Sequence, residues 1–405
     1  MDFRVLIIGT DANAYYMARC CFEAYNKKAT LLGHSFLPFT GYSDILNLIY
    51  NPKIWEEEEF IKAIYEIKST ALQDKPTLLI SSNETYAGFI SKNSEKLIKD
   101  GFLLNYPSTE IINTLMYKDL FYKTYENDLC VPKTVYYDCS VHDRNFEGLT
   151  YPVVLKPSNV ILYNHLDFAG KNKIYKIESE TELLNTVDKI VDGGYNDCLI
   201  IQDFIPGDDS YLFDAVAYAD SKGKVDFISF AQIGLQEQTK SMVGNAAVLI
   251  NGYNQFGNTE ETAEKLKNFL EKIGYRGFAE FDLKYDKKDK KFKVLEINAR
   301  QGRSSYYLTA LGKNLVKVLV DDLVFDKQSD FMVLKDEVLL SFVPKTVIKK
   351  YIKNRDYQKK ALSLWKNKVN PIDFKSDKNF KRKLYLIKRK FRYLRDYKNS
   401  YWTVD

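Results

Sequence analysis

Short apolar strands alternate with helical segments over the first hundred residues, and this alternation constrains the fold more than any other feature of the sequence. Strands are predicted at residues 4–8, 29–32 and 77–81, and helices at residues 12–25 and 56–72. Strands that alternate with helices form a parallel, doubly wound sheet. The first strand ends in the turn Gly9-Thr10-Asp11, which lacks the GxGxxG spacing. A plain α/β domain is therefore favoured over a dinucleotide site.

Composition excludes several classes of protein. The 405 residues are 45% hydrophobic and 28% charged, as in a soluble globular protein of two or three domains. No apolar run approaches the roughly 20 residues of a membrane-spanning helix, and the run at residues 5–8 is too short for a signal peptide. Five cysteines without CxxC spacing indicate reduced thiols rather than a zinc site. With three histidines only (His34, His142 and His165), a histidine-based metal or triad site is not expected.

From residue 111 the pattern changes. A helix is predicted at residues 111–126, and strands at residues 152–156, from residue 198, at residues 277–285 and at residues 291–297. A further helix has Asn258 as its N-cap, Glu261 in its first turn and Gly274 just after its end. The last two strands are joined by a polar turn at residues 286–290, which predicts an antiparallel hairpin.

The hairpin carries acidic side chains on one face. On its first strand Glu280, Asp282 and Lys284 alternate with the apolar Ala279, Phe281 and Leu283. On its second strand, strict alternation places Phe292, Val294, Glu296 and Asn298 on one face. Asp282, Glu296 and Asn298 would then converge as oxygen ligands, which suit Mg²⁺. The alternative is a surface hairpin with solvated charges.

Neighbouring basic residues favour the metal site over the solvated hairpin. Arg300 and Arg303 follow the second strand directly, and guanidinium groups bind phosphate and carboxylate in a bidentate manner. Lys156 stands at the end of an apolar strand. The strand that begins at Cys198 runs into a turn with two aspartates, the second of which is Asp209.

Taken together, these motifs resemble the ATP-grasp superfamily of carboxylate–amine ligases, and within it the bacterial D-aspartate ligases of peptidoglycan synthesis. The resemblance extends over essentially the whole chain, although the segment after residue 344 matches less well. It is carried by five stretches, at residues 9–19, 153–157, 202–210, 277–286 and 296–305. It implies an α/β fold with a parallel pre-ATP-grasp domain (residues 1–110), an ATP-grasp domain (residues 111–330, divided at 197/198) and a basic helical extension (residues 331–405).

The resemblance also implies roles for individual residues. Lys118 and Lys156 would contact the phosphates of ATP, the segment Gln202, Asp203, Phe204 and Ile205 would lie beside adenine, and Asp209 would accept from the ribose. Asp282, Glu296 and Asn298 would bind one or two Mg²⁺ ions, with Mn²⁺ as the alternative metal. Arg300 would stabilise the transferred phosphoryl group, and Arg303 and Ser304 would contact the acid substrate. One departure is that residues 158–173, where the family has a glycine-rich loop, contain only Gly170; Ser158, Asn159, Lys171 and Lys173 are the predicted substitutes.

The implied reaction transfers the γ-phosphoryl group of ATP to a carboxylate and then replaces phosphate by an amine. In the family the acid is D-aspartate, which reacts through its β-carboxyl group with the lysine ε-amine of a UDP-linked precursor in the cytoplasm. The N-terminal domain and residues 234–251 would line the acceptor cleft. The alternatives are an ATP-grasp ligase for another amino acid or peptide, and a nucleotide-binding scaffold without turnover that uses its basic tail for anionic partners. Binding of nucleic acid through the tail is disfavoured by the acidic body of the protein.

Basic residues are concentrated at the C-terminus. Residues 345–405 contain 20 lysines and arginines against five aspartates, a balance of +15, whereas residues 1–344 carry −10. From residue 380 onward, apolar residues recur at spacings of four and three, which predicts one apolar face of a helix: Phe380, Leu384, Ile387, Phe391 and Leu394. The other sides of the helix are crowded with basic residues: Lys381, Arg382, Lys383, Lys388, Arg389, Arg392 and Arg395. Such a helix either packs on the core of the protein or lies on the inner face of an anionic membrane.

Overall fold

A computed structural model describes residues 2–400 of the protein, except residues 142, 145, 147, 240, 241 and 243. His142 therefore lies outside the described residues, as do positions 240, 241 and 243 of the predicted acceptor segment and positions 401–405 of the predicted extension. Among the described residues, none of the helices combines the length and the apolar character needed to cross a membrane.

The N-terminal part is a five-stranded parallel sheet in the order β3-β2-β1-β4-β5. Its strands are β1 (Arg4–Ile8), β2 (Ala29–Gly33), β3 (Leu46–Tyr50), β4 (Thr77–Ser81) and β5 (Phe102–Leu103). The helices between them are α1 (Ala12–Tyr25), α2 (Pro38–Gly41), α3 (Glu57–Thr70), α4 (Glu84–Lys92) and α5 (Ser94–Lys99). The predicted parallel domain is thus confirmed, and the bounds of β1, α1 and β4 agree with the sequence pattern.

The turn after β1 is explained by close packing. Gly9 has a φ of +130°, and a Cβ atom there would lie 1.9 Å from the hydroxyl oxygen of Ser82 at the end of β4. Asp11 caps α1 by accepting from the backbone N–H of Ala14 at 2.9 Å. Glycine and aspartate at these two positions therefore bring the start of α1 against the end of the sheet.

The second part contains a four-stranded antiparallel sheet in the order β6-β9-β7-β8. Its elements are α6 (Thr109–Met116), α7 (Lys118–Tyr125), β6 (Thr134–Asp138), β7 (Val153–Pro157), α8 (Val160–His165), β8 (Tyr175–Ile177), α9 (Glu180–Asp192) and β9 (Cys198–Asp203). The single helix predicted at residues 111–126 is wrong, because Tyr117 is extended (φ −101°, ψ 116°) and separates two helices. Lys118 is consequently the first residue of α7.

The third part is a seven-stranded sheet in the order β14-β13-β10-β11-β12-β16, with β15 paired to β11. Its elements are β10 (Leu212–Ala219), β11 (Val225–Gln236), β12 (Ala246–Asn251), α10 (Thr259–Lys272), β13 (Gly277–Asp286), β14 (Lys291–Asn298), α11 (Tyr307–Ala310), α12 (Leu315–Leu323), β15 (Met332–Leu334) and β16 (Val338–Ser341). The Asn258 cap is confirmed, since its side chain accepts from the N–H groups of Glu260 and Glu261. Gly274 follows the helix with a φ of +66°, as predicted.

The sheets divide the chain at different positions from those predicted. β9 pairs with β6 and β7, so residue 198 falls inside the four-stranded sheet rather than at the start of the next unit. β15 and β16 join the seven-stranded sheet, although they lie within the predicted extension. An apolar run reveals a strand but not its partner, which explains both differences. We propose unit boundaries near residues 205 and 342 instead.

The C-terminal segment forms helices α13 (Lys345–Tyr351), α14 (Arg355–Ser363) and α15 (Phe380–Ser400). Arg382 of α15 and Asp377 are buried at 1% and 0% side-chain exposure and form an ion pair at 3.1 Å. Asp377 also accepts from the hydroxyl groups of Tyr15 and Ser43 in the N-terminal domain. The tail helix is thus packed on the protein, but through its polar face; the five apolar positions predicted as one face point outward.

Candidate functional site

A bulge in β14 sets the direction of the acidic side chains on the hairpin. Asp282 of β13 pairs with Glu296, whereas the next residue, Leu283, pairs with Val294, so Leu295 is an extra residue. One extra residue reverses the side-chain alternation of a strand. Val294 therefore packs in the apolar core with Leu283, while Glu296 points into a cavity. The predicted common face of Phe292, Val294, Glu296 and Asn298 is wrong for its first two members, both of which are buried.

Three carboxylates lie side by side across adjacent strands. Asp282 pairs in register with Asp214 of β10 on one side and with Glu296 on the other. Burial raises the pKa of Asp282 well above its usual range, and the charges of Glu280 and Glu296 raise it further. Asp214 was missed by sequence reasoning, although a single acidic residue in a strand otherwise made of apolar residues is a signal for it.

These side chains fit a magnesium ion that also binds phosphate. Within the described chain, no three histidine, cysteine, aspartate or glutamate side chains form a ready metal cage. Mg²⁺ characteristically uses one or two carboxylates and completes its shell with water and substrate phosphates. Asp282, Glu296 and Asn298 provide such a partial set of oxygen donors. In addition, the buried Oδ1 atom of Asp214 has no hydrogen-bond partner among the described residues.

Lysines face the carboxylates across the cavity. Lys118, at the start of α7, forms an ion pair with Glu296. Burial opposes ionisation of Glu296, but the charges of Lys118 and Lys173 outweigh it and lower the pKa of this carboxyl group. Burial lowers the pKa of Lys156 to about 7, and the like charge of Lys118 contributes. Lys156 donates to the side-chain oxygen of Gln202 at 3.2 Å.

Arg300 is held between two carboxylates, of which the sequence indicated Glu280 on the acidic face of the hairpin but not Glu84. Its guanidinium group pairs with Glu84 at 2.7 Å and with Glu280 at 3.4 Å. Burial disfavours the charge of Arg300, but the two carboxylates outweigh it and raise the pKa of the guanidinium group. Glu84 belongs to α4 of the N-terminal domain, so that domain contributes directly to the site.

The loop after Arg300 is fixed by the N-terminal domain. The side chain of Asn13 in α1 donates to the carbonyl oxygen of Gln301 at 3.0 Å, and Tyr16 donates to that of Gly302 at 2.6 Å. A Cβ atom on Gly302 would lie 1.4 Å from a carboxylate oxygen of Glu280. A side chain at this position would therefore displace the buried carboxylate of Glu280 from its contacts with Asn298 and Arg300.

Arg303 takes part in a cluster with the C-terminal helix. It pairs with Glu237, and its guanidinium group lies 4.0 Å from the ring centre of Phe342. Glu237 also accepts from the hydroxyl group of Tyr393 at 2.9 Å and lies 3.9 Å from Arg389. Two arginines share one glutamate, so the cluster keeps an excess of one positive charge. The sequence named Arg389 as a basic residue of the tail helix, and Glu237 lies in the predicted acceptor segment, but their contacts with Arg303 were not predicted because only the fold brings them together.

Ser304 is engaged as well, since its hydroxyl group donates to Asp214. At the other end of the cavity, the side chain of Gln202 links Lys156 to Thr134. Both carboxylate oxygens of Asp209 accept from Gln236, one from its side chain at 2.7 Å and one from its backbone at 2.9 Å. Each carboxylate oxygen can accept a second bond, so Asp209 still has capacity for a hydroxyl group.

One cavity of about 480 Å³ brings the predicted residues together. It is lined by each of the 13 side chains that the sequence singled out: Lys118, Lys156, Gln202, Asp203, Phe204, Ile205, Asp209, Asp282, Glu296, Asn298, Arg300, Arg303 and Ser304. Residues 244–246 of the predicted acceptor segment also reach it.

The segment in place of a glycine-rich loop is partly helical. Of the predicted substitutes, Asn159 and Lys173 line the cavity. Ser158 donates to Asp119, and Lys171 donates to backbone carbonyl groups of its own loop. Lys173 is therefore the lysine of this segment that can meet an anion in the cavity.

Comparison with known proteins identifies the family. No protein-family model matches the chain. A D-aspartate ligase from Enterococcus faecium (strain Aus0004) is 33% identical over 404 residues, which cover 95% of this chain and 93% of that protein.

Solved structures show the same fold at low identity. An L-amino acid ligase from Bacillus licheniformis superposes with a TM-score of 0.57 over 81% of this chain and 75% of its own, at 18% identity. N5-carboxyaminoimidazole synthetase from Staphylococcus aureus, in complex with ADP, superposes with a TM-score of 0.61 over 84% of this chain and 82% of its own, at 15% identity. A third similar structure is the biotin carboxylase domain of 2-oxoglutarate carboxylase from Hydrogenobacter thermophilus, in complex with MgADP, ADP and bicarbonate. It superposes with a TM-score of 0.58 over 81% of this chain and 71% of its own, at 14% identity.

The predicted fold class is confirmed by these similarities and by the parallel and antiparallel sheets. Because the identity to a D-aspartate ligase extends over nearly the full length of both proteins, the chain belongs to the D-aspartate ligase family of ATP-grasp carboxylate–amine ligases, enzymes that form a carbon–nitrogen bond.

Proposed function

We propose that the protein uses MgATP to activate the β-carboxyl group of D-aspartate and joins it to the lysine ε-amine of a UDP-linked peptidoglycan precursor in the cytoplasm. The observation that carries the proposal is the single cavity in which lysines stand opposite carboxylates. The family member from Enterococcus faecium is named for D-aspartate, which supports the choice of acid.

The nucleotide would lie between the lysines and the hairpin. Lys118, Lys156 and Lys173 offset the charge of the phosphates as point charges. The backbone N–H groups of Asp203 and Phe204 already donate to carbonyl oxygens of Lys133 and Pro152. In our proposal, carbonyl groups of residues 203–205 therefore accept from the adenine amino group. Two of the similar structures hold ADP, one of them as MgADP, which supports this assignment.

Asp282, Glu296 and Asn298 would hold the magnesium. The ion supplies charge neutralisation of the phosphates when it is bound. Lys118 now pairs with Glu296, and the bound nucleotide would give this lysine a second anionic partner. Arg300, kept charged by Glu84 and Glu280, would stabilise the charge that develops on the transferred phosphoryl group.

D-Aspartate has two carboxylates, and the cavity is lined by two arginines in different surroundings, Arg300 and Arg303. Arg300 adjoins the predicted phosphate site, so the carboxylate that is activated would lie beside it. The cluster of Arg303, Arg389 and Glu237 retains one positive charge, which suits the carboxylate that does not react. The pairing of both Arg303 and Arg389 with the one carboxylate of Glu237 supports a role of this cluster in binding an acidic substrate.

The reaction then needs no nucleophilic side chain. A carboxylate oxygen of the acid attacks the γ-phosphorus and ADP leaves, which gives an acyl phosphate. The uncharged amine attacks the carbonyl carbon, phosphate leaves with one oxygen of the original carboxylate, and the nitrogen loses a proton. The contribution of the protein is positioning and electrostatic stabilisation.

Transfer of oxygen tests the proposal. D-Aspartate with oxygen-18 in its β-carboxyl group is incubated with MgATP, the UDP-linked peptide and the protein, and the released phosphate is analysed by mass spectrometry. We expect one labelled oxygen per phosphate. Amide formation with unlabelled phosphate would contradict the acyl phosphate. Turnover with another amino acid but not with D-aspartate would favour the alternative of a ligase with a different substrate.

Replacement of Glu296 by glutamine tests the metal and phosphate site. The change removes one charge from the donor set, so we expect kcat to fall by about 10²–10³-fold, a typical cost for a catalytic electrostatic contact. The circular dichroism spectrum of the variant should equal that of the wild type, because the fold stays intact. Asp289→Asn is the matched control, because it removes a carboxylate that pairs with Lys293 on the same hairpin but outside the cavity. Activity of Glu296→Gln above about a tenth of the wild-type value would refute the assignment.

The lowered pKa of Lys156 predicts a pH dependence of nucleotide affinity. Below pH 7 the amine is charged and attracts phosphate, whereas above pH 7 it must first take up a proton. We expect the affinity for metal-free ATP to fall by about tenfold from pH 6 to pH 8, as one group with a pKa near 7 requires. The control is the same calorimetric measurement of ATP affinity on the variant Lys156→Met. Protonation of ATP itself changes with pH in the same way in both experiments, so the difference between the two proteins reports on Lys156. Equal pH profiles for the two proteins would exclude a role of Lys156 in phosphate binding.

A further inference from the structure

The C-terminal helix α15 is anchored through a polar and aromatic face. Arg382 pairs with Asp377 in the interior of the protein. Arg389 donates to the hydroxyl group of Tyr393 at 2.7 Å, and Tyr397 is fully buried. Positions 382, 389, 393 and 397 lie on one side of a helix. These contacts fix which side of α15 faces the protein.

The opposite side presents apolar side chains to solvent. At 1.5 Å per residue they extend over about 21 Å and form a continuous ridge, which we call the apolar stripe. Contiguous exposed apolar side chains of this kind mark an interaction surface. Its members and their exposures are Phe380 (71%), Leu384 (43%), Ile387 (50%), Phe391 (68%) and Leu394 (39%).

Cations border the stripe along both edges. With about 100° between successive residues, four exposed basic side chains lie along one edge and two along the other. They are Lys381, Lys388, Arg392 and Arg395 on the first edge, and Lys383 and Lys390 on the second. Asp396 is the only acidic residue between positions 380 and 400, and it pairs with Arg392 and Arg395. The exposed face therefore has a large excess of positive charge.

Charge and apolarity together select the kind of partner. Nucleic acid would satisfy the cations but leave the stripe in water. A second copy of the chain would cover the stripe but bring two rows of cations together. An anionic bilayer accommodates both, because lipid phosphates meet the cations while the apolar side chains enter the boundary of the acyl chains.

We propose that α15 is an interfacial helix that docks the protein on an anionic membrane surface through the apolar stripe. The buried face of the helix stays on the protein during docking, so no unfolding is needed. Docking of this kind does not depend on which acid and amine the ligase joins.

Cosedimentation of the full-length protein with vesicles tests the docking. Vesicles of phosphatidylcholine alone are compared with an equal mixture of phosphatidylcholine and phosphatidylglycerol. We expect binding to the anionic vesicles at low salt, and about tenfold weaker binding to neutral vesicles or at high salt. The double variant Ile387→Ser/Phe391→Ser should lose binding by a similar factor. Phe325→Ser, whose side chain is 49% exposed elsewhere on the surface, is the matched control and should bind like the wild type.

A variant with Lys381, Lys383, Lys388 and Lys390 all changed to glutamine provides a second test, because these exposed side chains support no buried contact. Circular dichroism and calorimetric binding of ATP show that each variant is folded. The docking is refuted if the wild type stays in the supernatant with anionic vesicles. It is also refuted if the serine double variant and the glutamine variant both pellet like the wild type. A dimer in sedimentation velocity that the double variant abolishes would instead assign the stripe to a second copy.

Discussion

The extra residue in β14 is the constraint on which the site depends. Without the bulge at Leu295, a strand that buries Val294 would direct Glu296 away from the cavity. The carbonyl oxygen of Leu295 accepts from the hydroxyl group of Tyr122 at 2.6 Å. Tyr122 lies in α7, the same helix that begins with Lys118, the partner of Glu296. One short helix therefore both supports the bulge and supplies the lysine that faces it.

The site concentrates charges that do not stabilise the fold on their own. Burial and mutual repulsion raise the pKa values of Asp214, Glu280 and Asp282. A buried charge that loses its partner is strongly destabilising, which explains why Arg300 has two carboxylates around it. The N-terminal domain provides one of them and also holds the neighbouring loop through Asn13. A cation bound by Asp282 would thus relieve the repulsion among these carboxylates.

The sequence predicted the bounds of helices and strands better than the directions in which their side chains point. Strand and helix bounds followed apolar periodicity and caps, so β1, α1, β4 and α10 were found where expected. The 13 selected residues line one cavity. Most of them lie at or just after the ends of β7, β9 and β14, whereas Asp282 lies within β13 and Lys118 begins α7. Glu84 was missed because it comes from the N-terminal domain, far from the other site residues in the chain. Asp214 was missed although it is the acidic residue of an apolar strand, and Glu237 lies in the predicted acceptor segment, but its ion pair with Arg303 was not predicted. Periodicity also cannot reveal a bulge, and in α15 it identified the apolar stripe without showing that the stripe faces solvent.

A crystal structure with Mg²⁺, a non-hydrolysable ATP analogue and D-aspartate tests the central claim most directly. We expect the phosphates between Lys118 and Lys156 and the metal on Asp282 and Glu296. D-Aspartate should lie with one carboxylate beside Arg300 and the other towards Arg303. A nucleotide bound outside this cavity, or a metal without contact to the hairpin, would refute the assignment of this cavity as the active site.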